Sequence, residues 1–138
     1  MAVRIITDSA SDITREDVAA AGNPALGVLP LSITFGNTTY EDGGNLSHKR
    51  FSELLVEGDD LPMTGQVNPY AFEQAIGEAH AAGDEVIVIT LSGKLSGTNA
   101  SANTAAASFD SGVYVVDSKN VTVGERVLVD YALCLVDE

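Results

Sequence analysis

The residues best suited to chemistry gather in Leu91–Ala102, LSGKLSGTNASA. An apolar run, Glu85–Thr90 (EVIVIT), precedes them, and the alanine-rich segment Ser96–Ala107 follows. The order predicts a buried strand, a loop of Ser and Gly, and then a helix. Glycines allow close backbone approach, and the first turn of a helix offers unpaired N–H groups with a partial positive charge. Ser92, Ser96 and Thr98 add hydroxyls that donate or accept. The stretch is therefore a candidate cradle for a small anionic or polar group. The competing reading is that Ser96 only caps its helix. Thr7-Asp8-Ser9 and Asp117-Ser118 end two other apolar runs in the same way, and a loop carrying Thr64 precedes a further helix. Three strand ends of one polar type point to a shared site more than to capping alone.

Several reaction classes fail on spacing. Ser92-Gly93 and Ser96-Gly97 do not match a nucleophile elbow, and neither His48 nor His80 follows a strand end. Gly93–Thr98 lacks the GxxxxGK[ST] spacing of a phosphate loop, and LSGKLSG lacks the dinucleotide fingerprint. A receiver-like regulatory domain using Asp8, Thr90 and Lys119 with a metal or phosphoryl group is the alternative. Its acceptor acid has no clear candidate beyond Asp42. The acid pairs Asp8/Asp12 and Asp59/Asp60 are cation candidates. We read Asp8 and Asp117 instead as acceptors for loop backbone that hold the crevice in shape, and expect no metal and no cofactor. A site rich in hydroxyls and poor in acid–base pairs suits binding a carboxylate better than transforming one.

The elements that must position these residues follow from hydrophobic periodicity. Ala2–Thr7, Leu26–Phe35, Glu85–Thr90 and Gly112–Asp117 read as strands, with Pro30 arguing against a central position for the second or marking a bend in it. Helices are expected over Ile13–Ala21 (capped by Ser11 or Asp12), from a Ser47 cap to about Glu57, and from an Asn68 cap with Pro69 at its first position to about Ala82. Ser96–Ala107 and Glu125–Val136 complete the set. Gly36-Asn37 reads as a hairpin into Thr38–Tyr40, and Pro62–Pro69 as loop. Strands alternating with helices give one three-layer α/β/α domain over 1–138. Its sheet is mainly parallel with four to five strands, Rossmann- or flavodoxin-like, and its site is expected beyond the carboxyl ends of the strands.

Bulk properties narrow the partners. The 138 residues carry 20 acids against 7 bases, a net charge of −13. No basic run or face exists to neutralise phosphates, which argues against nucleic acid. Cys134 is the only cysteine, so no intramolecular disulfide or cysteine-cluster metal site can form. No leader pattern opens the chain and no apolar run approaches roughly 18 residues, so a cytoplasmic protein without stable membrane insertion is expected.

Several segments together resemble the N-terminal half of the DegV family of bacterial fatty-acid-binding proteins. Thr7–Asp12 (TDSASD) is similar to the family's TDSxxD opening. Pro30-Leu31 with Tyr40–Gly43 resembles its next stretch, and Thr64–Val67 (TGQV) stands where TSQP is typical. Leu91–Thr98 (LSGKLSGT) is close to the LSSxLSGT loop, and Val116–Ser118 with Gly124 to the VDS segment. The resemblance implies a long-chain fatty acid in an apolar tunnel, its carboxylate held by loop hydroxyls and presented to a separate fatty-acid kinase for acyl phosphate formation. It implies no intrinsic catalysis. Thr64 and Ser92 are the implied carboxylate hydrogen-bonders, backed by Gly93 and Ser96, with Ser9 and Asp117 in the surrounding crevice. Three departures stand out: Gly65 and Val67 replace Ser and Pro of TSQP, Gly93 replaces the second Ser of LSS, and Asn99 stands where Tyr is common. The family's C-terminal domain is expected to be absent from this chain, which predicts weakened lipid binding and possible self-association through an exposed apolar face.

Overall fold

In the computed structural model, which describes residues 1–137, β1 (Val3–Asp8) lies at the centre of a four-stranded sheet. The order is β2 (Leu26–Leu29), β1, β6 (Glu85–Thr90), β7 (Val113–Asp117), and every pair is parallel. Alternate residues of a strand face opposite sides, so a central strand needs apolar residues at every position. Ile6, Val86 and Val88 face one core with Phe72 and Ile76 of α3 (Pro69–Ala81) and Ala102 and Ala105 of α4 (Thr98–Ala106). Ile5, Ile87 and Ile89 face a second core with Val18 of α1 (Arg15–Ala21) and Val129 of α5 (Val123–Val136). Helices thus cover both faces, and the expected three-layer α/β/α fold is present.

The stretch Leu26–Phe35 departs from the single strand expected. It breaks at Pro30-Leu31 into β2, within the parallel sheet, and β3 (Ser32–Phe35), which belongs to a separate sheet. Proline cannot donate to a ladder, and the Leu31 N–H is taken by the Ser9 hydroxyl at 3.0 Å. That second sheet is antiparallel, in the order β4 (Thr38–Glu41), β3, β5 (Met63–Gly65). The β3–β4 hairpin turns at Gly36, as expected, with φ of +57°. The segment 62–69, read as loop, contains β5, because Ile33 and Thr34 of β3 supply it with a partner edge. A lone apolar residue within three gives no periodicity to read.

Helix starts differ in part. Ser47 and Asn68 cap α2 (His48–Glu57) and α3 as expected. α1 starts later than Ile13: Thr14 caps it, and Asp17 returns a bond to the Thr14 N–H, a complete capping box. Ser11 instead hydrogen-bonds to the Asp8 carbonyl, and Asp12 adopts a left-handed conformation, φ +59°. α4 begins at Thr98, after a Gly97 that provides no side-chain cap, so Ser96 lies in the loop. No described helix is long and apolar enough to cross a membrane.

Candidate functional site

The carboxyl ends of β1, β6 and β7 meet around one loop, Leu91–Gly97, and buried acids set its shape. Asp8 is fully buried at the end of β1. One of its oxygens accepts from the Ala10 N–H at 3.0 Å, the other from the Leu91 N–H at 2.8 Å. Asp8 therefore ties β1 to the start of the loop. Asp117, at the end of β7, does the same from the other side: the Gly93 N–H lies 3.2 Å from both its oxygens, and the Lys119 N–H donates to one at 2.9 Å. Both aspartates are backbone acceptors that shape the crevice, as the sequence led us to expect.

Beneath Asp8 lies Glu125, in the first turn of α5 and completely buried. The Thr7 hydroxyl donates to its Oε1 at 3.1 Å, while Oε2 is buried without a hydrogen-bond partner among the described residues. Burial, and then the charge of Asp8, push the Glu125 carboxyl up to about 9, and burial also raises Asp8 against the pull of the Leu91 N–H. At neutral pH Glu125 therefore carries a proton and no charge. The sequence did not mark this residue: an acid in the first turn of a helix is commonplace, and only the fold brings it under β1.

Ser92 is nearly buried, 7% exposed, with its backbone N–H bonded to the Asn120 carbonyl at 2.8 Å. Its Oγ accepts from the Lys94 N–H at 3.3 Å. With Lys94, Asp117 and Lys119 it lines a cavity of about 280 Å³. Ser96 pairs through its hydroxyl with Thr98, 2.9 Å away, and accepts from the Thr98 N–H. Thr98 in turn accepts from the Val67 N–H at 3.3 Å, and Gln66 donates to Ser101 at 3.1 Å. A Cβ at Gly97 would displace the end of the Gln66 side chain, so glycine leaves Gln66 room to reach Ser101. The Thr64–Val67 and Leu91–Thr98 segments thus form one physical unit. Gln66 was not singled out in the sequence; its partner is 35 residues away and shares no periodicity with it.

The expected site residues do not all converge. Ser92 and Asp117 share the 280 Å³ cavity, while the Gly93 N–H is taken by Asp117. Thr64 is exposed on β5, two residues before Gln66. Ser9 lines a separate cavity of about 130 Å³ with Asp12, Arg15, Asp42 and His48, and its Oγ already accepts from Leu31. Of the receiver-like set, Asp8 is spent on backbone, Thr90 is buried and bonded to Asn99, and Lys119 lies in the Ser92 cavity. Among the described residues no group of three acid, His or Cys side chains could hold a metal.

Gly93 has a steric reason. A Cβ built there would lie 2.9 Å from the Asp117 carboxylate and 3.5 Å from the Asn99 Cβ. The missing side chain is what lets Asp117 reach the Gly93 N–H.

Fold and crevice together define an α/β domain with a parallel sheet whose carboxyl edge carries a cavity lined by Ser92, Lys94, Asp117 and Lys119. A family model described as "Uncharacterised protein, DegV family" matches residues 2–138, and the chain belongs to that family. A DegV domain-containing protein of Deinococcus radiodurans is 43% identical over 90% of this chain, covering 43% of its own length. Among solved structures, a DegV family protein of Thermus thermophilus, described by its fatty-acid binding, superposes with a TM-score of 0.87 at 31% identity, over 99% of this chain and 48% of that one. DegV of Bacillus subtilis, described as a fatty-acid-binding protein, gives 0.88 at 27% identity, again over 99% and 48%. The chain spans about half the length of the relatives it matches.

Proposed function

We propose that this chain contributes the carboxylate-binding half of a fatty-acid-binding protein of the DegV type. The supporting observation is the docking of Thr64–Val67 onto the Leu91–Ser101 segment through the Val67–Thr98 and Gln66–Ser101 bonds. Nearly buried Ser92, which lines the cavity beyond the strand ends with Lys94, Asp117 and Lys119, supports a carboxylate at that position. Among the described residues the Ser92 hydroxyl hydrogen has no acceptor, so it is free to donate to a carboxylate oxygen. The reading carries with it binding without intrinsic catalysis and presentation of the acyl group to a separate kinase. Domain 1–138 on its own encloses little of an acyl chain. A buried methylene contributes about 0.8 kcal/mol, so affinity for the isolated chain is weak.

Titration with decanoate labelled with carbon-13 at its carboxyl tests the proposal. The expected result is a saturable shift of the labelled carbon and of the Ser92 amide, with affinity reduced roughly tenfold in Ser92→Ala, the loss of one hydrogen bond to a charged group. A labelled carbon that stays at its free position while Ser92 is unmoved would refute it.

A further inference from the structure

Asp8 and Glu125 are two fully buried acids side by side, a place that holds one negative charge but not two. Three of their four carboxyl oxygens have donors. Those of Asp8 accept from the Ala10 and Leu91 N–H groups, and Glu125 Oε1 accepts from the Thr7 hydroxyl. Oε2 meets no donor among the described residues, and the side chain within its hydrogen-bonding reach is Asp8, itself an acceptor. Two acceptors face each other in a dry site only when a proton lies between them. That proton belongs on Glu125, because two backbone N–H groups favour the charged form of Asp8. No cation offers another solution. Asp12, beyond the turn at Ser9–Ser11, adds a further negative charge, and β6 carries no titratable side chain after Glu85. Arg126 on α5 itself is turned to Asp17 of α1 and to the Asp12 carbonyl, while Lys119 of the preceding loop lines the Ser92 cavity.

Two backbone links lead from this pair to Ser92. Asp8 holds the Leu91 N–H, one residue ahead of it. On the other side, α5 follows directly on Thr122, whose N–H donates to the Ala10 carbonyl at 2.7 Å, and the Asn120 carbonyl two residues earlier accepts from the Ser92 N–H at 2.8 Å. Thr122 is held at φ +54° and ψ −123°, a strained conformation for a β-branched residue that persists only where its surroundings enforce it. A displacement of the first turn of α5 is therefore passed to the Asn120 carbonyl.

We propose that Glu125 is a positioning residue for Ser92: its carboxyl donates to Asp8, which holds Leu91, and its seat under β1 fixes the loop that holds the Ser92 N–H. The inference rests on the reading of Ser92 as the carboxylate donor. When Glu125 loses its proton, two adjacent carboxylates repel where water does not screen them, and the first turn of α5 is pushed off β1. Ser92 then loses its fixed backbone. Ligand binding is thus linked to a proton that never touches the ligand. It has full strength while Glu125 is protonated and weakens as pH rises through the folded value of about 9.

Carbon-detected spectra of the 138-residue chain, labelled with carbon-13 and titrated upward from pH 7 while circular dichroism shows it folded, test the link. Without ligand, the Glu125 carboxyl carbon is expected to be that of a protonated acid at pH 7, and its titration to carry the Leu91 and Asn120 carbonyl carbons with it. In Glu125→Gln those two carbons stay still. Decanoate affinity of the native chain falls up to about tenfold one pH unit above the midpoint, and this dependence is lost in Glu125→Gln. At pH 7 a second comparison needs no alkaline range: Glu125→Leu, which cannot donate to Asp8, binds decanoate about fivefold more weakly than Glu125→Gln, which can. A Glu125 carboxyl ionised at pH 7, Leu91 and Asn120 carbons that ignore its titration, or equal affinities of the Leu and Gln variants would overturn the proposal. Failure of decanoate to bind the native chain at pH 7 refutes the preceding reading instead, and the ligand-free titration still decides whether Glu125 positions the loop.

Discussion

Glu125→Gln isolates the buried acid under β1. The carboxyl ordinarily titrates near 4.5 and is pushed up to about 9 in the folded chain, by burial first and by Asp8 second. Between those values the folded protein keeps a proton that the unfolded chain releases. A group raised in this way contributes its full stability below its unfolded value and loses it as pH rises through the folded one. Stability therefore falls with rising pH across that window, by up to about 1.4 kcal/mol per pH unit for one fully retained proton. From about pH 5.5 to about pH 8.5 the loss reaches roughly 4 kcal/mol at most. Glutamine has no proton to lose, still accepts from the Thr7 hydroxyl through its amide oxygen, and presents N–H donors toward Asp8. Urea unfolding of both proteins across this range reads the effect from midpoints at constant m. The stability difference should shift in favour of the variant by on the order of 1 kcal/mol per pH unit. Parallel pH dependences in the two proteins would show that Glu125 is ionised in the fold, and the account of the Asp8–Glu125 pair would be wrong.

Gly93→Ser should displace the Asp117 carboxylate, because its Cβ arrives 2.9 Å from Oδ2. The cost is about 1–2 kcal/mol for the disrupted bonds, seen as a lowered melting temperature, and Gly93→Ser/Asp117→Ala should recover part of it; an unchanged melting temperature for the single variant would contradict the steric account. Gly97→Ala should drive Gln66 off Ser101 and loosen the joint between the Thr64 and Ser92 segments. Faster hydrogen exchange at the Val67 amide is the expected readout, and unchanged protection there would show that the joint does not depend on Gly97.

Much of the architecture was legible because period and position agree. Ala2–Thr7 and Glu85–Thr90 are apolar at nearly every position, and only a two-faced strand explains both. Asn68-Pro69 announces a helix start through two independent constraints, a side-chain acceptor and a fixed φ. Where reading failed, the deciding partner lay far away in sequence. Leu26–Phe35 reads as one strand until Ser9 claims the Leu31 N–H, and Met63–Gly65 becomes a strand only when β3 lies beside it. Ser96 resembles a cap in its local sequence, yet it is bonded to Thr98 before the helix begins. At the site, Asp8, Ser92 and Asp117 could be named from their places after strands. Glu125 and Gln66 could not, since their roles come from Thr7 and Ser101, which no spacing rule connects to them.

The strand order β2-β1-β6-β7 bears on how the chain acquires its site during synthesis. β1 can pair with β2 as soon as both exist, but its other edge waits for Glu85–Thr90, with Val3 opposite Glu85. Such distant pairings close slowly, because the intervening chain must be ordered before the contact offsets it. Until β6 arrives, Asp8 has no Leu91 N–H to accept from, and until α5 docks against β1 its Glu125 is an ordinary ionised acid in water. The crevice is therefore among the last features to form. A nascent chain stalled before β6 would carry both apolar faces of β1 and none of the binding loop, which makes the early segment a client for chaperones well before it has a ligand to hold.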